Sequence, residues 1–321
     1  MKKLTTIILL LLLCSFAHAE TFIVQSNTQE AIEVAFNQVE LNKGGTVILP
    51  HGTVVLTSEI RVTCDNLTIK GEGCTLYTDF EDPQNMGLRL TGKYLDIDGI
   101  SFEANPEFKR PESGGYLLTL LGCKYFRISD CNLLNSPAGH IWIGRESSFG
   151  IVSGHIIGTD ERKDILETAD GIQVSGGSHD IIIDDGIITR TGDDAVSIGT
   201  YWWDEEKTHD IVITSQKIRG SRCHGIIATK SDNIDMVNNS ISDCLLAGIA
   251  VYDYGNWQHA PSENVVVKNN ILRNNGIGES LYNRGRHCSI WIDSVGLVTL
   301  KGNEIFGNPI FVYNCRELRE E

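Results

Sequence analysis

The chain has 321 residues and a formal net charge of −15, from 42 Asp and Glu against 27 Lys and Arg. So acidic a chain is a poor non-specific binder of nucleic acid, and it carries neither a Walker loop nor a G-x-G-x-x-G turn. The apolar run from Ile7 to Leu13 is too short to span a bilayer, and no other stretch could.

The chain opens on Met1-Lys2-Lys3, passes through that apolar run and reaches Ala17-His18-Ala19. A basic start, a short apolar core and a small-x-small site predict a secretory signal peptide over 1–19, cleaved after Ala19. That leaves 20–321 as one domain, secreted or periplasmic. Loss of Lys2 and Lys3 takes the charge from −15 to −17. Eight cysteines stay behind, which an oxidising compartment permits to pair; their spacing dictates no pairing. Residues Thr28 to Val39 read as a helix. Ala31, Ile32, Ala35, Phe36 and Val39 make one apolar face, and Thr28 is a fair N-cap. Gly44 to Pro50 then opens the first strand.

From Leu67 onward one pattern recurs: an apolar residue, a second two positions on and a third seven on. It fits Leu67-Ile69-Cys74, Leu95-Ile97-Phe102, Phe126-Ile128-Leu133, Phe149-Ile151-Ile156 and Ile181-Ile183-Ile188. Ile211-Ile213-Ile218, Ile234-Met236-Ile241, Val265-Val267-Leu272 and Val298-Leu300-Ile305 complete nine cycles, 23 to 33 residues apart. Period two means a short strand with alternate side chains inward. Polar corners rich in Asn and Gly follow each strand, and Asn239, Asn270 and Asn303 share one register, so they could stack as a ladder. In several cycles a further strand begins eight residues after the third apolar position, at Ile141, Val196, Ile226 and Ile249. Three short strands per turn predict an all-β fold: a right-handed parallel β-helix of about nine to eleven coils with an N-terminal capping helix.

Two residues before that further strand stand Gly139, Asp170, Asp194, His224 and Ala247 in consecutive coils. Asp170, Asp194 and His224 therefore form a column, and Asp193 precedes Asp194 directly. Two coil spacings put these groups within ~10 Å. Like charges so close disfavour joint ionisation, so at least one carboxyl should titrate high. One protonated acid beside one carboxylate is what glycoside hydrolysis requires. Long insertions gather near these coils, at 158–169, 201–208, 253–262 and 273–287. They carry Tyr201, Trp202, Trp203, Tyr254, Trp257, Tyr282, Arg284, Arg286 and His287, of which the rings suit sugar faces and the arginines suit acidic groups. One position past the strand start stand Trp142, Gln173, Ser197 and Trp291. The candidate substrate contacts are Trp142, Gln173, Ser197, Lys230, Tyr252, Arg284 and Arg286.

At these residues the chain resembles the polygalacturonases, family 28 of the glycoside hydrolases. That family carries Asn-Thr-Asp-Gly, Gly-Asp-Asp, Gly-His-Gly and Arg-Ile-Lys on successive coils. Thr168-Ala169-Asp170-Gly171 matches the first loosely, Gly192-Asp193-Asp194 the second fully and Cys223-His224-Gly225 the third in part. The stretch from Thr28 to Leu56 also looks like the start of pectate-lyase-like domains. The resemblance implies Asp193 as general acid, with Asp170 and Asp194 activating water, and inversion. By register the Arg-Ile-Lys position falls at Ala250-Val251-Tyr252, which lacks cations; Lys230, Arg222 and Arg286 are the candidates to replace them. This departure leaves galacturonan in question as the substrate.

The leading expectation is a monomeric exported glycoside hydrolase acting on a polysaccharide, without a metal or other cofactor, nucleic-acid partner or membrane insertion. Two alternatives stand beside it. One is a polysaccharide lyase or uronate epimerase, for which the acidic column could hold calcium. The other is a non-catalytic glycan-binding β-helix.

Overall fold

The computed structural model describes residues 20–79, 86–109, 115–160, 164, 168–253, 260–278 and 287–320. The leader predicted over 1–19 lies outside them.

Short strands alternate inward and outward side chains, and each turn of the chain lays one strand on each of three parallel sheets. The first sheet has 12 strands, from Thr21–Ile23 to Glu317–Glu320. The second has ten, from Gly52–Leu56 to Glu304–Phe306, and the third has ten, from Ile60–Thr63 to Ile310–Tyr313. The fold is a right-handed parallel β-helix of about ten coils. Thr21–Ile23, which the sequence pattern did not predict, pairs with Gly45–Ile48. The capping helix runs Gln29–Leu41, and Thr28 caps it through Oγ1, which accepts from the Ala31 N–H at 3.3 Å. Ile32, Ala35, Phe36 and Val39 are buried against the end of the stack. No helix among the described residues is long and apolar enough to cross a membrane.

Eight of the nine predicted cycles hold the predicted strand register in the first sheet. The exception is the coil at 148–158. Its inward residues are Gly150, Val152 and Ile157, which pair with Phe126, Ile128 and Leu133. Phe149, Ile151 and Ile156 are one residue out of register, and Ile156 is exposed. The reason is steric. A Cβ on Gly150 would sit 2.0 Å from the Phe126 ring, so Phe126 fills the space of two side chains. Phe149 instead stacks outside on Tyr125, with ring centroids 4.9 Å apart. In the first cycle Leu76, rather than Cys74, stacks with Phe102, although both are buried.

The predicted asparagine ladder is present and longer than expected. Asn303 Oδ1 accepts from the N–H and Nδ2 of Asn270, both at 3.0 Å. Asn270 Oδ1 accepts from the N–H and Nδ2 of Asn239 at 2.9 and 3.0 Å. Asn239 Oδ1 takes the Gln216 N–H, and Gln216 Oε1 takes Nε2 of His155 at 3.0 Å. Each asparagine also donates to a backbone carbonyl: Asn239 to Ile213, Asn270 to Met236 and Asn303 to Val267. Asn270→Ala orphans the buried Asn239 N–H and takes a donor from the Met236 carbonyl. At about 1–3 kcal/mol for each lost partner, the expected loss is about 2–6 kcal/mol, read from the urea midpoint.

The eight described cysteines are all free thiols, and seven of them are buried. Burial pushes Cys123 and Cys244 up to about 12, which makes them unreactive packing groups.

Candidate active site

The third sheet carries the site. Ile141, Ile172, Val196, Ile226, Ile249 and Ile290 pair in one inward file, as the spacing predicts. That file sets the register of the residues ahead of it. Gly171 N–H donates to the Asp194 carbonyl, and Ala195 N–H donates to the His224 carbonyl, both at 3.0 Å. Asp170, Asp194 and His224 therefore occupy the same corner of three successive coils.

Side chains bind the column together as well. Asp170 Oδ1 accepts from the Asp194 N–H at 3.1 Å. Asp194 Oδ1 accepts from both the N–H and the Nδ1 of His224, each at 2.8 Å. These donations fix the tautomer of His224, with its proton on Nδ1. Its Nε2 is buried and has no hydrogen-bond partner among the described residues. Burial is the main cause that raises the proton affinity of Asp194 above the usual carboxylate range, and the adjacent Asp193 adds to it; His224 opposes the rise. Asp193 and Asp170 are half-buried, Asp194 and His224 buried. The Cys223 thiol hydrogen-bonds Asp193 and is pushed far above the usual thiol range by burial and by the charges of Asp194 and Asp193. It is a neutral thiol in an acidic corner.

Donor atoms of Asp193, Asp194 and Cys223 lie within 4.8 Å of one another. Calcium takes six to eight oxygen ligands. A protonated thiol is the wrong donor, and Asp194 Oδ1 is already spent on His224. The set does not fit calcium.

Trp142, Gln173 and Ser197 stand in one outward row, as the register predicts. The row continues through Ile227, Ala250 and Trp291. Trp142 Nε1 donates to Ser175 Oγ at 2.9 Å. Tyr252 and Trp291 are buried, with ring centroids 4.6 Å apart, and both lie against His224 at 5.9 and 6.4 Å. Around them Ile227, Ala247, Ala250 and Cys288 complete an apolar cluster. Lys230 lies in the interior. It is 1% exposed, and its Nζ lies 2.9 Å from Asp253 Oδ1, so its charge is met inside the protein. Arg284, Arg286, Tyr254, Trp257 and Tyr282 lie outside the described residues.

The sequence pattern missed Tyr116. Its ring lies over Gly139, where a Cβ would sit 1.8 Å away, and tilts against Trp142 at 5.7 Å. Its hydroxyl donates to Gln173 Oε1, and Gln173 Nε2 donates to Tyr201 Oη at 2.7 Å. The signal was present: Gly139 is the bare position in a column that elsewhere carries Asp, His or Ala.

A family model described as "Right handed beta helix region" matches residues 161–317. No curated protein sequence matches the chain. Among solved structures it is similar to the polygalacturonase from Erwinia carotovora ssp. carotovora, at 15% identity and a TM-score of 0.66, covering 96% of this chain and 99% of that one. It is similar to the alginate lyase from Paenibacillus sp. str. FPU-7, at 13% identity and a TM-score of 0.63, covering 92% and 98%. It is also similar to the Streptococcus pneumoniae surface protein and adhesin PfbA, at 12% identity and a TM-score of 0.63, covering 94% and 100%. A hydrolase, a lyase and an adhesin share these coils, so the likeness speaks to architecture and the chemistry must be argued from the site. By that architecture the chain is a right-handed parallel β-helix.

Proposed function

We propose that this protein is an exported glycoside hydrolase that cleaves a polysaccharide at the Asp170–Asp194–His224 column, with inversion. One observation supports the reading above the others. Two adjacent carboxyl groups stand in different surroundings: Asp194 is buried and bound by His224, while Asp193 is half-buried and beside a neutral thiol. Environments that separate two carboxyls divide acid and base work between them.

Asp193 is the more open of the pair and gives its proton to the leaving oxygen as the glycosidic bond breaks. Water attacks the anomeric carbon, and its proton passes to the Asp194 carboxylate. Asp194 Oδ2 takes neither His224 donor and is the oxygen left for that water. Asp170 supports Asp194 through its backbone N–H. His224 holds Asp194 in place.

A lyase would need a cation beside the substrate carboxylate. Here Lys230 is bound to Asp253, and the acidic donors do not suit calcium. The test is a polysaccharide panel with the purified protein. New reducing ends, indifferent to chelator and without ultraviolet-absorbing products, are expected. Unsaturated products lost on chelation would establish a lyase instead.

A further inference from the structure

Two tryptophans sit in the open past the end of the Val196–Gly199 strand, which Asp194 precedes. Trp202 and Trp203 are 59% and 60% exposed, although indoles are seldom left to water. Their segment is nevertheless held firmly. The Asp204 carboxylate accepts from the N–H of Tyr201 at 2.7 Å and of Gly176 at 3.2 Å, and the Asp204 N–H closes the turn on the Tyr201 carbonyl at 3.0 Å. Trp203 stacks on Tyr201 with centroids 4.8 Å apart and planes 9° apart, and Trp202 stands at 76° to it. Tyr201 in turn receives Gln173, three residues past Asp170 on the same coil. Two contacts thus tie the rings to the strand that follows Asp170. Fixed, exposed, paired rings on the rim of the third sheet are built to meet a flat apolar surface from outside.

The charge around them narrows what that surface is. Asp204, Glu205 and Glu206 follow Trp203 directly. The side chains of Glu206 and Glu146 both flank Gly177, within 3.0 and 3.5 Å of its Cβ position. The cation nearest in sequence to these acids, Lys207, is bonded to Asp232 at 2.7 Å. A polymer with a carboxylate on every sugar would meet repulsion along this rim. A neutral pyranose offers a C–H face that stacks on indole without charge.

We infer that the glycan taken by this protein is uncharged, and that Trp203 with Trp202 is its platform beside the acidic column. The inference rests on the reading of that column as a glycan-cleaving site. Asp193→Asn protein is titrated with soluble β-glucan, galactomannan and arabinoxylan, and with polygalacturonate and alginate, by calorimetry and tryptophan fluorescence. At least one neutral polymer is expected to bind, with the two polyanions at least about tenfold weaker. Adding Trp203→Ala is expected to weaken that binding about tenfold with no change in melting temperature, and Trp203→Phe to restore part of it. Tighter binding of either polyanion, no binding of any neutral polymer, or unchanged affinity in Trp203→Ala overturns the inference. Trp203-dependent binding by a wild-type protein that releases no products would leave the platform standing and remove the hydrolase reading.

Discussion

Asp194→Asn is expected to cut the turnover of a cleaved polysaccharide by ~10²–10⁴-fold, the usual worth of a positioned acid or base. The stack should survive the change. Asn keeps an oxygen that accepts from the N–H and Nδ1 of His224, so neither donor is orphaned. Stability separates this loss from misfolding. The folded state holds the Asp194 proton more tightly than the unfolded chain does. Between the ordinary carboxylate range and that raised value the folded state binds more protons, so stability falls as pH rises through the window. Asn removes that fall. The variant should therefore be inactive yet no less stable than the wild type at neutral pH. Full activity in both Asp193→Asn and Asp194→Asn would sink the assignment of the site.

The second large effect lies outside the site. His155 is buried at the end of the amide ladder, and burial lowers it from 6.5 to about 4; its bond to Gln216 opposes the shift only partly. Its Nδ1 has no partner among the described residues. The unfolded chain takes up a proton near the ordinary value and the folded chain does not. Stability is therefore fully present above about 6.5 and is lost as pH falls toward 4, a cost of about 3 kcal/mol. Denaturant melts of wild type and His155→Gln across that range should converge as the pH drops. Parallel curves would show that another group carries the acid limb.

Much of this was legible before any coordinates. Period-two files of Ile, Leu and Val specify strands that are buried on one side, and the fixed interval to Ile141, Val196, Ile226 and Ile249 set the corner where Asp170, Asp194 and His224 meet. The misreadings share a cause. Gly150 has no side chain, so the pattern slid to Phe149 and Ile151, although the volume was supplied by Phe126 from the coil before. The sequence around Lys230 does not show that it pairs with Asp253, which lies on the next coil. Tyr116 and Gln173 are 57 residues apart, and only the stacking of coils makes them neighbours. The sequence shows what each turn does alone; the exchange of volume, charge and hydrogen bonds between turns appears only when they are stacked.

The hydrogen bonds from Asp194 to Asp170 and from His224 to Asp194 also say how such a protein can change over time. Each links one coil to the next and reaches no further. The proposed catalytic apparatus is thus a cassette three coils deep. Whole coils added to or removed from either flank leave it intact. One coil slipped between Asp170 and His224 would part them by a further ~4.8 Å and end the chemistry. A lineage built this way is free to vary its length and its surface loops, but not the order of three consecutive turns.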